Sequence, residues 1–160
     1  MILVSACLAG CNCRYDAGST PHPAVLSMAR SGAAVPVCPE QLGGLETPRA
    51  PAEIRGGQGG DVLAGRAQVV TEDGTDVTAH FIHGARECLR LAQLFRVSRA
   101  VVKSRSPSCA VHEIYDGTFT GSCRPGPGVT TALLQQHGVE VIEETDQGVL
   151  ARLLLSLQTV

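Results

Sequence analysis

Three cysteines follow apolar segments of the chain, and their thiols are the groups best suited to chemistry. Cys7 and Cys38 each come directly after a short apolar run, and Cys109 stands six residues beyond a third run. A deprotonated thiol is a soft ligand for zinc, copper and iron–sulfur clusters. If the fold places these three thiols together, the chain holds a metal site built from residues far apart in sequence.

The elements around the cysteines predict that they meet. Short apolar runs alternate with amphipathic segments, a pattern typical of a parallel sheet in an α/β fold. The predicted strands cover residues 2–6, 33–37, 99–103 and 139–142, and the predicted helices cover 23–30, 78–95, 128–137 and 146–157. In an open parallel sheet the carboxyl ends of the strands lie along one edge, where ligands bind. We therefore predict a Rossmann-like α/β fold, with a mostly parallel sheet flanked by helices, in a single domain of residues 1–160.

Two long stretches separate these elements. Residues 41–66 and 104–127 are rich in glycine and polar residues, which predicts long, functional loops. An Asp-Gly pair between residues 67–70 and 76–78 indicates a β-hairpin. Thr78 is then expected to cap the helix that follows it.

A carboxylate and two hydroxyls stand close to the cysteines in sequence. Glu40 comes two residues after Cys38, so we expect it at the same sheet edge, where it could act as a general acid or base beside a metal. Ser106 and Ser108 precede Cys109 in its loop. A hydroxyl there can bind a substrate or a cluster ligand, although many loop serines only stabilise turns.

Further polar residues could orient a substrate. Arg14, Tyr15 and Asp16 follow the first loop and suit an anionic or heterocyclic substrate, and Arg49 could act in the same way. A solvated arginine is an equally good interpretation of Arg49. The free amides at the start of the helix near residues 125–131 could hold an anion.

Composition excludes several classes of function. The chain has 13 basic and 15 acidic residues, a net charge of −2, 3% aromatic residues and no tryptophan. These values argue against a surface for nucleic acid or for an anionic membrane. The first apolar run is too short for a signal peptide or a membrane span, so we expect a cytoplasmic protein. The oligomeric state is left open.

The seven cysteines leave several readings open. In a reducing compartment, an odd and high number of cysteines favours metal binding or catalysis over disulfides. Cys88 falls on the apolar stripe of a predicted helix and is expected in the core, whereas Cys11, Cys13 and Cys123 lie in loops and could supply a fourth ligand. Three thiolates could equally hold a zinc ion in a hydrolase. A non-enzymatic sulfide or metal carrier, or a redox sensor that uses Cys11 and Cys13, is a further alternative.

Ordered motifs along residues 1–144 resemble those of the thiouracil desulfidase-like family, formerly catalogued as a domain of unknown function. The motifs are Ser-Ala-Cys-Leu-Ala-Gly at 5–10, Cys-Arg-Tyr-Asp at 13–16, Cys-Pro-Glu at 38–40, Gly-Gly-Leu at 43–45, Pro-Arg at 48–49, Gly-Thr-Asp-Val-Thr at 74–78, Lys-Ser-Arg-Ser-Pro-Ser-Cys at 103–109, Ile-Tyr-Asp-Gly-Thr-Phe at 114–119 and Gly-Pro-Gly-Val-Thr at 126–130.

The resemblance implies a cofactor and a reaction. It implies a [4Fe-4S] cluster held by Cys7, Cys38 and Cys109, with one iron left open to bind the sulfur of the substrate. The implied reaction is hydrolysis of the thiocarbonyl of a small thiolated heterocycle to the oxo form and sulfide, without net redox change. By the same resemblance, Glu40 donates or accepts the proton and Ser106 orients the substrate.

Three positions depart from the family pattern. Ala9 replaces the more usual leucine, and Ala110 replaces a glycine after the last ligand, where it could reshape the substrate pocket. Cys13 occupies a position where relatives can carry valine, so it is not expected to be a ligand.

Overall fold

A four-stranded parallel sheet forms the centre of the computed structural model, which describes residues 1–158. The strands are β1 (Ile2–Ser5), β2 (Ala34–Val37), β5 (Arg99–Val102) and β8 (Glu140–Glu143), in the spatial order β2-β1-β5-β8. Every neighbouring pair in this sheet is parallel. The α/β class and the parallel sheet predicted from the alternation of elements are confirmed.

Helices cover both faces of this sheet. The helices of the described residues are α1 (Pro23–Arg30), α2 (Pro39–Leu42), α3 (Gly59–Leu63), α4 (Thr78–Leu94), α5 (Val129–Gln136) and α6 (Gln147–Gln158), of which α1, α4, α5 and α6 pack against the sheet. Successive side chains of a strand point to opposite faces. Accordingly Ile2 and Val4 pack with α1 and α6, whereas Leu3 packs with α4 and α5. Burial on both faces explains why the first three residues of this strand are all apolar.

Two small antiparallel ribbons lie outside this sheet and correct the predicted loops. Strand β3 (Ala52–Arg55) pairs with β4 (Gln68–Thr71), and β6 (Glu113–Tyr115) pairs with β7 (Cys123–Pro125). The stretch 41–66 therefore contains β3 and α3, and the stretch 104–127 contains the second ribbon. Both were predicted as loops because their strands are short and carry charged residues.

The predicted hairpin and helix cap are also wrong in detail. The partner of β4 is β3, and residues 76–78 contribute only an isolated bridge between Val70 and Asp76. Thr78 is the first residue of α4, and Val77 occupies the cap position. The Thr78 hydroxyl accepts instead from the Val69 N–H at 2.9 Å, which ties the helix to β4.

No helix within residues 1–158 has the length and apolar character needed to cross a bilayer.

Candidate functional site

The three cysteines line one cavity of about 480 Å³ at the carboxyl edge of the parallel sheet. Cys7 lies in a single 3₁₀ turn directly after β1, and Cys38 directly follows β2. Cys109 lies in the connection from β5 to β6. Cys7 and Cys109 are buried and Cys38 is partly exposed. The convergence expected from the order of strands is present in the structure.

The loop that carries Cys109 is fixed by the start of α5. The N–H groups of Val129 and Thr130 donate to the carbonyls of Pro107 and Ser108, each at 2.9 Å. Gly128 makes this approach possible, because a Cβ there would lie 2.4 Å from the carbonyl carbon of Ser108. The helix amides predicted to hold an anion therefore bind the cysteine loop instead.

The two serines of that loop have different surroundings. Ser106 lines the cavity, and its hydroxyl oxygen accepts from the N–H groups of Ser108 at 3.2 Å and Cys109 at 3.1 Å. These bonds use the lone pairs of Ser106 and leave its hydrogen as a donor toward the cavity. Ser108 is fully buried, and its hydroxyl lies 2.7 Å from that of Thr130. The structure therefore places the Ser108 side chain in the interior, outside the cavity lining.

Glu40 and Arg49 form a partly buried ion pair on the cavity wall. Arg49 Nε lies 2.6 Å from Glu40 Oε2, and their side chains are only 8% and 17% exposed. The same guanidinium donates to the Cys13 carbonyl at 3.0 Å and to the Thr47 hydroxyl at 3.1 Å. Arg49 therefore orients Glu40 and the first cysteine loop, and its charge is already paired before any substrate binds.

Arg14 and Tyr15 line the cavity, but Asp16 does not. The Arg14 guanidinium lies 5.6 Å from the centre of the Tyr15 ring, a cation–π distance. Asp16 lies outside the lining, where it accepts from Arg14 at 3.3 Å and from the Gly18 N–H at 3.0 Å. In the structure this carboxylate holds the Arg14 side chain that lines the cavity.

A fourth thiol, that of Cys13, lies in the same cavity. Its side chain is buried, and the Cys38 thiol donates to the Cys13 carbonyl at 3.6 Å. Interaction with the Cys13 thiol is the main cause that lowers the pKa of Cys7 and of Cys38, and the same interaction raises the pKa of Cys13. Burial raises the pKa of Cys109 to about 12.

The other three cysteines lie elsewhere. All seven cysteines are free thiols. Cys11 and Cys123 are exposed and lie outside the cavity lining, and Cys88 is buried in the core on α4, as predicted.

Two further groups of the cavity wall were missed in the sequence. Lys103 Nζ lies 2.5 Å from Glu144 Oε1, and this ammonium contributes to lowering the pKa of Cys7. Glu53 is buried and accepts from the N–H groups of Gly117 at 2.9 Å and Phe119 at 3.0 Å. Glu53 thus fixes a loop over the cavity. Lys103 is the first residue of the family motif at 103–109, whereas no motif quoted from the sequence contains Glu53.

The donor set suits an iron–sulfur cluster. Such clusters are held by cysteine thiolates, each on its own iron, and three thiols from three segments border this cavity. Within residues 1–158 no three His, Cys, Asp or Glu side chains are grouped around a single-ion position. Beside Cys7, the buried Thr20 hydroxyl has no well-formed hydrogen bond in the described chain.

Comparison with known proteins gives concordant matches. The family model of 2-thiouracil desulfurase matches residues 2–146. The uncharacterized protein YbbK of Bacillus subtilis (strain 168) is 47% identical over 146 residues, which are 91% of this chain and 97% of the relative. The solved structure of the [4Fe-4S]-dependent thiouracil desulfidase TudS is 42% identical, with a TM-score of 0.83 over 99% of this chain and 98% of that chain. The chain therefore belongs to the 2-thiouracil desulfurase family.

Proposed function

We propose that the protein is a desulfidase that hydrolyses the thiocarbonyl of a thiolated heterocycle, such as thiouracil, to the oxo form and sulfide. The observation that carries this proposal is the meeting of three thiols, the Glu40 carboxylate and the Ser106 hydroxyl on one cavity. Membership of the family and the similarity to a [4Fe-4S]-dependent thiouracil desulfidase support it.

Cys7, Cys38 and Cys109 are the residues that would hold a [4Fe-4S] cluster. They come from three segments whose positions are fixed by the sheet and by α5, so the chain presents them without rearrangement of the core. When bound, the cluster would supply a Lewis-acidic iron with an open position for a soft sulfur atom.

Glu40 is the proposed proton carrier. Hydrolysis adds the oxygen of water to the thiocarbonyl carbon and releases the sulfur with both hydrogens of that water, so no electron donor is required. Glu40 Oε accepts a proton from the water as the C–O bond forms and returns it to the sulfur as the C–S bond breaks. The Arg49 guanidinium, whose Nε lies 2.6 Å from Glu40 Oε2, holds this carboxylate on the cavity wall before the reaction begins.

Ser106, Arg14 and Tyr15 are the proposed substrate contacts. The Ser106 hydroxyl keeps its hydrogen for a ring acceptor, because its lone pairs are bound by two backbone N–H groups. Arg14 and Tyr15 form a flat, cationic part of the wall, which suits a planar heterocycle. A cavity of about 480 Å³ suits a substrate of this small size. We place the protein in the cytoplasm, a reducing compartment in which its free thiols would stay reduced.

The proposal is tested by the turnover of thiouracil in variants with unchanged cluster content. Glu40→Gln and Ser106→Ala should retain iron and sulfide and lose activity, by roughly 100-fold or more for the proton carrier. Glu46→Gln is the matched control, because Glu46 is exposed in the loop that follows α2 and lies outside the cavity lining. Full activity in both Glu40→Gln and Ser106→Ala would refute the assignment.

A further inference from the structure

The Thr20 side chain has a buried hydroxyl that the fold itself does not use. Its oxygen is shielded from solvent and makes no well-formed hydrogen bond within residues 1–158. Buried polar groups are nearly always paired in native proteins, so an orphan of this kind calls for an explanation. The backbone places it firmly: the Thr20 N–H donates to the Cys7 carbonyl at 3.0 Å.

The backbone bond from Thr20 to Cys7 places the orphaned hydroxyl next to a residue that is a proposed cluster ligand. The hydroxyl is close enough to contribute to the lowered pKa of Cys7, after the larger effect of Cys13. A protonated thiol is a poor acceptor, whereas a thiolate is a strong one. A cysteine that holds a cluster does so as a thiolate, so cluster binding would give the Thr20 hydroxyl the strong acceptor that it lacks.

We propose that Thr20 is a positioning residue that donates its hydroxyl hydrogen to the Cys7 thiolate when that thiolate holds the cluster. This inference rests on the proposed function, since it requires the cluster. Outer-shell partners of metal ligands fix the orientation of the ligand, and their loss typically weakens metal binding about 10–100-fold. Hydrogen bonds to the sulfurs of a cluster also set its reduction potential.

The direction of the effect on potential follows from charge. A reduced cluster carries one more negative charge than an oxidised one, so a donor to its thiolate stabilises the reduced form more. Removing the hydroxyl should lower the potential.

Two variants separate the effect of the Thr20 hydroxyl from the effect of its packing. Thr20→Val removes the hydroxyl and keeps the branched shape, and Thr20→Ser keeps the hydroxyl and removes the methyl group. The measurements are the midpoint potential, followed by optical titration, and the rate of iron loss to a chelator, both in the reconstituted protein. Neither depends on turnover.

Thr20→Val should shift the ratio of reduced to oxidised cluster about threefold to tenfold at fixed potential, where tenfold is 59 mV for one electron. It should also lose iron about tenfold faster, and Thr20→Ser should match wild type in both. Failure of Thr20→Val to retain any cluster, with full loading of Thr20→Ser, would equally support the proposal.

Wild-type behaviour of Thr20→Val, or equal changes in both variants, would overturn the role of Thr20 and leave the desulfidase proposal intact. A wild-type protein that takes up no cluster would overturn both proposals, so the two failures are distinguishable.

Discussion

Removal of the Arg49 side chain should destabilise the protein through Glu40. Arg49→Met keeps the length of the aliphatic stem and deletes the guanidinium, which is only 8% exposed and lies 2.6 Å from the Glu40 carboxylate. Breaking one partner of a buried ion pair costs about 3–5 kcal/mol, because the remaining charge is left uncompensated. Glu40 is 17% exposed and borders the cavity, so we expect the lower end, about 3 kcal/mol.

The assay is urea unfolding of the single variants Arg49→Met and Glu40→Gln and of the double variant, all in the same state of cofactor loading. If each single variant loses stability mainly because its partner's charge is left unpaired, the two losses should not add. The free energy of unfolding of the double variant should then exceed the additive expectation by about 1–3 kcal/mol. Arg66→Met is the matched control: Arg66 pairs with Asp61 at 2.8 Å but is 68% exposed, so it should cost less than about 1 kcal/mol. Additivity of the two changes within about 0.5 kcal/mol would refute the coupling.

Three other changes have defined outcomes. Glu53→Ala should cost about 1–3 kcal/mol in urea unfolding and raise the KM for thiouracil, because two N–H groups of the cavity loop lose their acceptor; an unchanged KM would contradict the role of that loop. Cys13→Val should keep full iron content, because Cys13 is not a proposed ligand, and loss of iron on analysis would make it one. Removal of the cluster by a chelator should lower the Tm, because a group bound only by the folded state stabilises it; equal Tm values in thermal melts would exclude such coupling.

The parallel sheet and the meeting of three cysteines could be predicted because both follow from long-range rules. Ile2, Leu3 and Val4 form an unbroken apolar run, which indicates a strand buried on both faces. The shared edge of parallel strands then brings Cys7, Cys38 and Cys109 together regardless of their separation in sequence. The meeting of the three cysteines could be predicted because it depends on the order and direction of the strands and not on local side-chain contacts.

Finer features depended on side-chain direction and on pairings that the local pattern does not encode. Cys11 and Cys13 are two residues apart, yet one is exposed and the other is buried against two thiols. Ser106 and Ser108 are also two residues apart, yet Ser106 lines the cavity and the Ser108 side chain is buried.

The pairing of β3 with β4 was hidden for a related reason. The Asp-Gly turn predicted that β4 pairs with residues 76–78, which are close in sequence. In the structure β4 pairs with Ala52–Arg55, a short strand with charged residues. The nearer pairing is reduced to the single bridge between Val70 and Asp76.

Metal analysis after anaerobic reconstitution tests most directly whether Cys7, Cys38 and Cys109 hold an iron–sulfur cluster. Iron, zinc and acid-labile sulfide should be measured per chain in wild type, in Cys7→Ala, Cys38→Ala and Cys109→Ala, and in Cys123→Ala as the exposed control. We expect about four irons and four sulfides in wild type and in the control, and loss of both in each of the three ligand variants. Zinc in place of iron, or full iron content in any of the three ligand variants, would contradict the account.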